Sequence, residues 1–219
     1  MAIHAAIFDM DGLLLDTERL LVRFWCEAAN ELGFPMQTHH ALHLRSLSGP
    51  YAAVYLRRQF GESFDHKAVR DRRREKMNEY FLRHPIPVKP GAAELLGWLR
   101  GHGIHTAVAT ATDETRAARY LTETGLLPLF DEICCAPNVP RGKPMPDVYL
   151  SACWKIGRAP SSCLALEDSP NGVLSAWRAG CRVILVPDQT APDPQLLPLL
   201  WGTAGSLMGV RDLLIERGL

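Results

Sequence analysis

The chain has 219 residues, with 24 basic and 24 acidic side chains and 47% hydrophobic residues. Such a chain can bury a core without disulfide or metal staples, as one large domain or two smaller ones, and its neutrality gives no electrostatic ground for binding nucleic acid or a membrane surface. No apolar run approaches the roughly 18 to 20 residues that span a bilayer, and no basic segment precedes the first apolar stretch, so a cytoplasmic protein is expected.

In chain order, the first predicted strand covers residues 5–8 and ends at Asp9-Met10-Asp11-Gly12. From Thr17 the pattern becomes helical. Leu20, Leu21, Phe24, Trp25, Ala28 and Leu32 recur at helical spacing behind an Asp16 or Thr17 cap, and Gly33-Phe34-Pro35 ends the run. Further helices are predicted over residues 38–47, 51–60 and 65–83, and Pro85, Pro87 and Pro90 close this all-helical stretch. Strands over 105–109, 132–135, 163–166 and 182–186 then alternate with helices over 91–100, 114–123, 146–156 and 170–179. These strands are short, apolar and without alternation, as in a parallel sheet covered on both faces. The expected fold is therefore α/β, a doubly wound (Rossmann-like) parallel sheet with an inserted α-helical cap: core domain 1–16 and 89–219, cap domain 17–88. The six cysteines lack CxxC spacing and read as free thiols, and the eight histidines lack metal-ligand spacing and read as surface or capping residues.

In open α/β sheets ligands bind at the carboxyl ends of the strands. Residues at those ends are Asp9 and Asp11, Thr110, and Glu167 with Asp168, while Lys143 lies in the Pro-containing loop 141–147. Four acids, one hydroxyl and one lysine suit phosphoryl transfer through an aspartyl phosphate. A carboxylate can attack an anionic phosphate ester only if a cation lies between them and donors neutralise the phosphoryl oxygens. Mg²⁺ would meet the first need with two or three carboxylates, a carbonyl and waters, and Thr110 and Lys143 would meet the second. Crowding also lets one acid hold a proton long enough to act as general acid.

With Asp9-Met10-Asp11-Gly12, Leu15-Asp16-Thr17-Glu18, Val108-Ala109-Thr110, Gly142-Lys143-Pro144-Met145-Pro146-Asp147 and Glu167-Asp168-Ser169-Pro170-Asn171-Gly172 in this order, the chain resembles subfamily I of the haloacid dehalogenase superfamily over essentially its whole length, and in particular β-phosphoglucomutase-like phosphatases with a helical cap. The resemblance implies Asp9 as nucleophile and Asp11 as general acid and base, with Thr110, Ala111 and Lys143 binding the phosphoryl group. It implies Mg²⁺ held by Asp9, the Asp11 carbonyl and Asp168, with Glu167 a ligand or the support of one. The expected activity is Mg²⁺-dependent hydrolysis of a small phosphorylated metabolite, by a monomer or weak dimer.

The alternative is a phosphomutase of the β-phosphoglucomutase kind, which shares these core residues but carries a cap histidine where this chain has Leu21. A metal-free dehalogenase would not need both Asp11 and Asp168. A phospho-receiver domain would phosphorylate an Asp after a later strand and would lack the helical insertion. In the cap, the basic run Arg70 to Lys76 reads mainly as a solvated face, with Arg74 and Arg45 as the candidate substrate contacts.

Overall fold

The structure, a computed structural model, describes residues 2–219; residue 1 of the expected core range lies outside them. Six strands form one sheet in the order β3-β2-β1-β4-β5-β6: β1 (Ala5–Phe8), β2 (His105–Thr110), β3 (Glu132–Cys135), β4 (Cys163–Glu167), β5 (Arg182–Leu185) and β6 (Gly202–Thr203). Every pairing is parallel, and the central strand meets both neighbours in step, with Ala5 opposite His105 on one side and Cys163 on the other. All four side chains of β1 are buried because the sheet is covered on both faces. Ala6 and Phe8 pack in the layer of Leu95, Leu99 and Leu121, from α5 (Ala92–Gly101) and α6 (Glu114–Glu123). Ala5 and Ile7 pack in the opposite layer with Val148, Ala152 and Ala176, from α7 (Asp147–Lys155) and α8 (Pro170–Ala179). The last pair, β6 and the helix at Leu207–Glu216, lies beyond the predicted repeat; Ser206 caps that helix and Leu207, Val210 and Leu214 are buried on its inner face.

Between β1 and α5 the chain forms α1 (Glu18–Glu31), α2 (Thr38–His43), α3 (Gly49–Phe60) and α4 (His66–Phe81). These helices enclose their own apolar core, including Trp25, Ala28, Leu56, Phe64 and Val69. The two crossings to the sheet run side by side, with Asp16 N–H donating to the Pro87 carbonyl and Lys89 N–H to the Leu14 carbonyl, both at 2.8 Å. Among the described residues no helix is long and apolar enough to cross a membrane.

Candidate active site

Asp9 leaves β1 with its N–H still bound to the Leu166 carbonyl at 3.0 Å, so its carboxylate is fixed at the carboxyl edge of the sheet and is buried. The chain then turns back on itself: Gly12 N–H donates to the Leu15 carbonyl (2.8 Å), and Leu14 and Leu15 both donate to the Met10 carbonyl. Gly12 takes a φ of +91°, and a Cβ there would run into the Asp168 carboxylate, so this turn requires glycine. It presents Asp11 to two hydroxyls: Thr17 donates to Oδ1 at 2.6 Å and Thr112 to Oδ2 at 2.8 Å. Thr17 therefore precedes α1 without capping it through its side chain, against the sequence expectation, because its hydroxyl is spent on Asp11.

Lys143 is fully buried, and its ammonium donates to Asp9 Oδ1 at 2.6 Å and to Glu167 Oε1 at 2.5 Å. Tyr149 donates to the same Glu167 oxygen at 2.6 Å, and Ser169 approaches the other at 3.4 Å. Ser169 also caps α8 by accepting from Gly172 N–H, with Pro170 at the first helical position as its sequence implies. Thr110 and Glu167 are the last residues of β2 and β4, each strand running one residue further than predicted. The Thr110 hydroxyl accepts from Thr112 N–H (3.1 Å), and Ala111 follows it in the cavity wall.

Burial dominates the electrostatics. It raises the Asp9 carboxyl to about 7 against the opposing charge of Lys143, with Glu167 and Asp11 adding repulsion. Burial alone would lower the Lys143 ammonium, but Asp9 and Glu167 together hold it above its ordinary value. The Asp168 carboxyl is pushed well up by burial and by Asp9 and Glu167, and the Glu18 carboxyl well up by burial and by Asp11. Both Asp168 oxygens are buried without a hydrogen-bond partner, and Asp9, Glu167 and Asp168 each offer an oxygen within 4.8 Å of the others. An all-oxygen set of this kind, with the Asp168 oxygens orphaned, fits Mg²⁺, which takes hard oxygen ligands and keeps several waters.

The helical insertion supplies the roof of a cavity of about 510 Å³, walled below by Asp9, Asp11, Thr110 and Ala111 and above by Leu21, Trp25, His66, Arg70, Arg73 and Arg74. Ser46, at a φ of +52°, lies with its hydroxyl 3.4 Å from Asp9 Oδ2. Ser48 N–H donates to the Lys143 carbonyl (3.0 Å), an approach so close that a Cβ on Gly142 would lie 2.5 Å from that of Ser48. Arg74 reaches across to Asp113 at 3.1 Å and lines the cavity. Arg45 lies elsewhere: its guanidinium donates to Thr190 Oγ1 at 2.5 Å and stands 3.9 Å from Asp168, outside the cavity wall. His66 departs from the expectation for histidines, being buried and stacked on Trp25 with ring centroids 5.7 Å apart. Thr17, Glu18, Ser46, Thr112, Tyr149 and Arg73 were not singled out as site residues from sequence.

A model of the haloacid dehalogenase-like hydrolase family matches residues 3–180. Hexitol phosphatase B of Escherichia coli (strain K12) is 32% identical over 195 residues, which cover 88% of this chain and 86% of the relative. The crystal structure of CbbY from Rhodobacter sphaeroides in complex with phosphate superposes with a TM-score of 0.76 at 28% identity, covering 94% of this chain and 95% of that one. A β-phosphoglucomutase from Clostridium difficile shares the fold with a TM-score of 0.81 at 22% identity, covering 98% and 96% of the two chains. With the acids and the lysine of its motifs gathered at the sheet edge under a helical roof, the chain belongs to the haloacid dehalogenase-like hydrolase family and is an enzyme of its phosphatase branch.

Proposed function

We propose that the protein is a Mg²⁺-dependent phosphatase of small phosphorylated metabolites that works through an aspartyl phosphate on Asp9. The observation that carries this reading is the buried Asp9 carboxylate, bound by Lys143 at 2.6 Å and open to the cavity on its other side. Asp9 is the nucleophile that attacks phosphorus in line with the leaving oxygen, and Asp11, steadied by Thr17 and Thr112, gives that oxygen a proton. Asp11 then takes a proton from the water that hydrolyses the acyl phosphate and restores free Asp9. Thr110, the Ala111 backbone and Lys143 receive the phosphoryl oxygens.

Asp9, Asp168 and the Asp11 carbonyl would hold Mg²⁺; Glu167, already committed to Lys143, Tyr149 and Ser169, acts by orienting its neighbours. When bound, Mg²⁺ supplies the positive charge that lets a carboxylate approach a phosphate ester. Helices α1–α4, residues 17–88, serve as the cap over a core of residues 1–16 and 89–219, excluding bulk water and selecting the leaving group. Hydrolysis is favoured over phosphoryl migration because Leu21, an apolar side chain without proton chemistry, stands in the cavity roof. Small phosphate esters fit the cavity, and the relative from Escherichia coli is named for phosphorylated hexitols.

The test is a phosphate-release screen over a few dozen phosphorylated metabolites with Mg²⁺, ranked by kcat/KM and repeated with Asp9→Asn. Release by the native chain, lost by at least ~10³-fold in the variant, is the expected result. Substantial turnover by Asp9→Asn would overturn the assignment of the nucleophile.

A further inference from the structure

Helix α4 carries three consecutive arginines, and the helical period sends each to a different environment. Arg72 turns outward to Glu31 (2.8 Å) and Glu75 (3.1 Å). Arg74 crosses to Asp113. Arg73 falls on the stripe Val69, Arg73, Met77, where its neighbours one turn away on either side are buried apolar residues. It is itself only 8% exposed.

Arg73 feels the charge of Asp11 without touching it. Among the described residues no carboxylate ion-pairs with it; the donor Nη1 has only Met77 Sδ at 3.6 Å, and Nε is buried with no partner. Its guanidinium carbon stands 5.1 Å from the ring centroid of Trp25. Burial lowers its pKa to about 10, with Arg116 and Arg74 adding repulsion and the charge of Asp11 opposing them, so it remains a cation at neutral pH. The other cavity arginines have acids of their own: Arg70 has Asp71 at 3.4 Å, and Arg116 has Asp113 at 3.7 Å. The acids that line the same cavity, Asp9, Asp11 and Glu18, belong to its reacting end.

A buried, unpaired guanidinium on an otherwise apolar stripe is unfavourable unless an anion meets it. We propose that the leaving group of the substrate carries a second anionic group, a carboxylate or a phosphate, which Arg73 receives at the cap end of the cavity while Asp9 attacks the reacting phosphoryl group at the other. This rests on the phosphatase reading above and narrows it. A planar guanidinium can hold either anion through paired, charge-assisted hydrogen bonds.

The experiment compares kcat/KM, with Mg²⁺, for glucose 6-phosphate against 6-phosphogluconate and glucose 1,6-bisphosphate, and for glycerol 3-phosphate against 3-phosphoglycerate. p-Nitrophenyl phosphate, which has no second anion, serves as the baseline. The expected result is a preference of about 10- to 100-fold for a member bearing the second anion, the scale of one or two hydrogen bonds to a charged group. The carboxylate and bisphosphate arms tell the two anions apart. Arg73→Met, which suits the apolar stripe, should collapse that preference to within about threefold, and Arg73→Lys should keep part of it. Turnover of p-nitrophenyl phosphate with no preference for anionic partners in the native chain would overturn the inference and leave the phosphatase reading standing. So would a preference that survives Arg73→Met in protein with a native melting transition. No phosphate from any compound would overturn both.

Discussion

The ammonium of Lys143 lies 2.6 Å from Asp9 Oδ1 and is sealed from solvent, so the proposed nucleophile and its counter-charge form one buried unit. Glu167 shares the same ammonium at 2.5 Å, which leaves two carboxylates dependent on one cation. Lys143→Met removes that cation without removing bulk. The expected outcome is a loss of about 3 to 5 kcal/mol of stability by urea unfolding, the usual cost of breaking a buried pair from one side, together with loss of turnover. Native stability in that variant would mean that the pair carries no structural weight.

Asp11 accepts one hydroxyl on each oxygen, from Thr17 ahead of α1 and from Thr112 after β2. Two such donors fix the plane of the carboxyl and leave it aimed at the cavity. Thr17→Val and Thr112→Val should each lower kcat by roughly tenfold with little change in KM, because the group lost orients the proposed proton donor and does not hold ground-state substrate. A double variant whose loss falls short of the sum would show that both act through Asp11. If KM rises and kcat stays, the hydroxyls bind substrate instead.

Asp168 has both oxygens buried without a hydrogen-bond partner beside Asp9 and Glu167. Divalent cation should therefore stabilise the native chain, by about 2.7 kcal/mol at 100 times the Kd, and EDTA should reverse the shift. Asp168→Asn relieves the repulsion among the acids, so its melting temperature in EDTA should exceed that of the native chain while its response to Mg²⁺ disappears. An equal Mg²⁺ shift in both proteins would place the metal elsewhere.

His66 gives a pH signature that does not depend on turnover. Burial, with Arg70 and Arg73 nearby, lowers its pKa from 6.5 to about 4. Between those values the unfolded chain binds a proton that the folded chain refuses, so the stability due to neutral His66 is complete above about pH 6.5 and declines as the pH falls toward 4. From pH 7 to pH 5 the loss should be about 1 kcal/mol after allowance for solvent screening. His66→Phe, which keeps the stacking on Trp25, should show a shallower decline in denaturant titrations at the two pH values. Parallel declines would assign the pH dependence to other groups.

The sheet was legible because its strands are short, largely apolar runs with polar residues at their carboxyl ends; those ends hold the acids and the threonine, while the lysine stands in the loop 141–147. Less legible was whatever depends on a partner far along the chain. Nothing local tells that the Thr112 hydroxyl serves Asp11, 101 positions away, or that Thr17 serves the same acid instead of its helix. β6 has two residues and no pattern to find. The helix at Leu207–Glu216 is different, because Ser206 and the spacing of Leu207, Val210 and Leu214 do signal it. On α4 the choice between Arg73 and Arg74 is one step of about 100°. The stripe of Val69 and Met77 fixes that phase and turns Arg73 inward, so the information lay in the apolar neighbours and not in the basic run.

Gly172 joins local propensity to the site. It occupies the third position of α8, where its N–H donates to Ser169 Oγ at 3.1 Å, and a Cβ there would collide with the Glu167 carboxylate. In an exposed helix, Gly→Ala gains up to about 1 kcal/mol. At this position the sign reverses, because Glu167 is held on one oxygen by both Lys143 and Tyr149 and has no free direction in which to move. Gly172→Ala should cost about 1 to 3 kcal/mol in chemical denaturation, as overpacking of a filled interior does. It should also lower kcat, since displacing Glu167 shifts the ammonium that binds Asp9. A stabilised variant with full activity would mean that Glu167 is free to move, and the account of Lys143 as a cation fixed between two acids would fail with it.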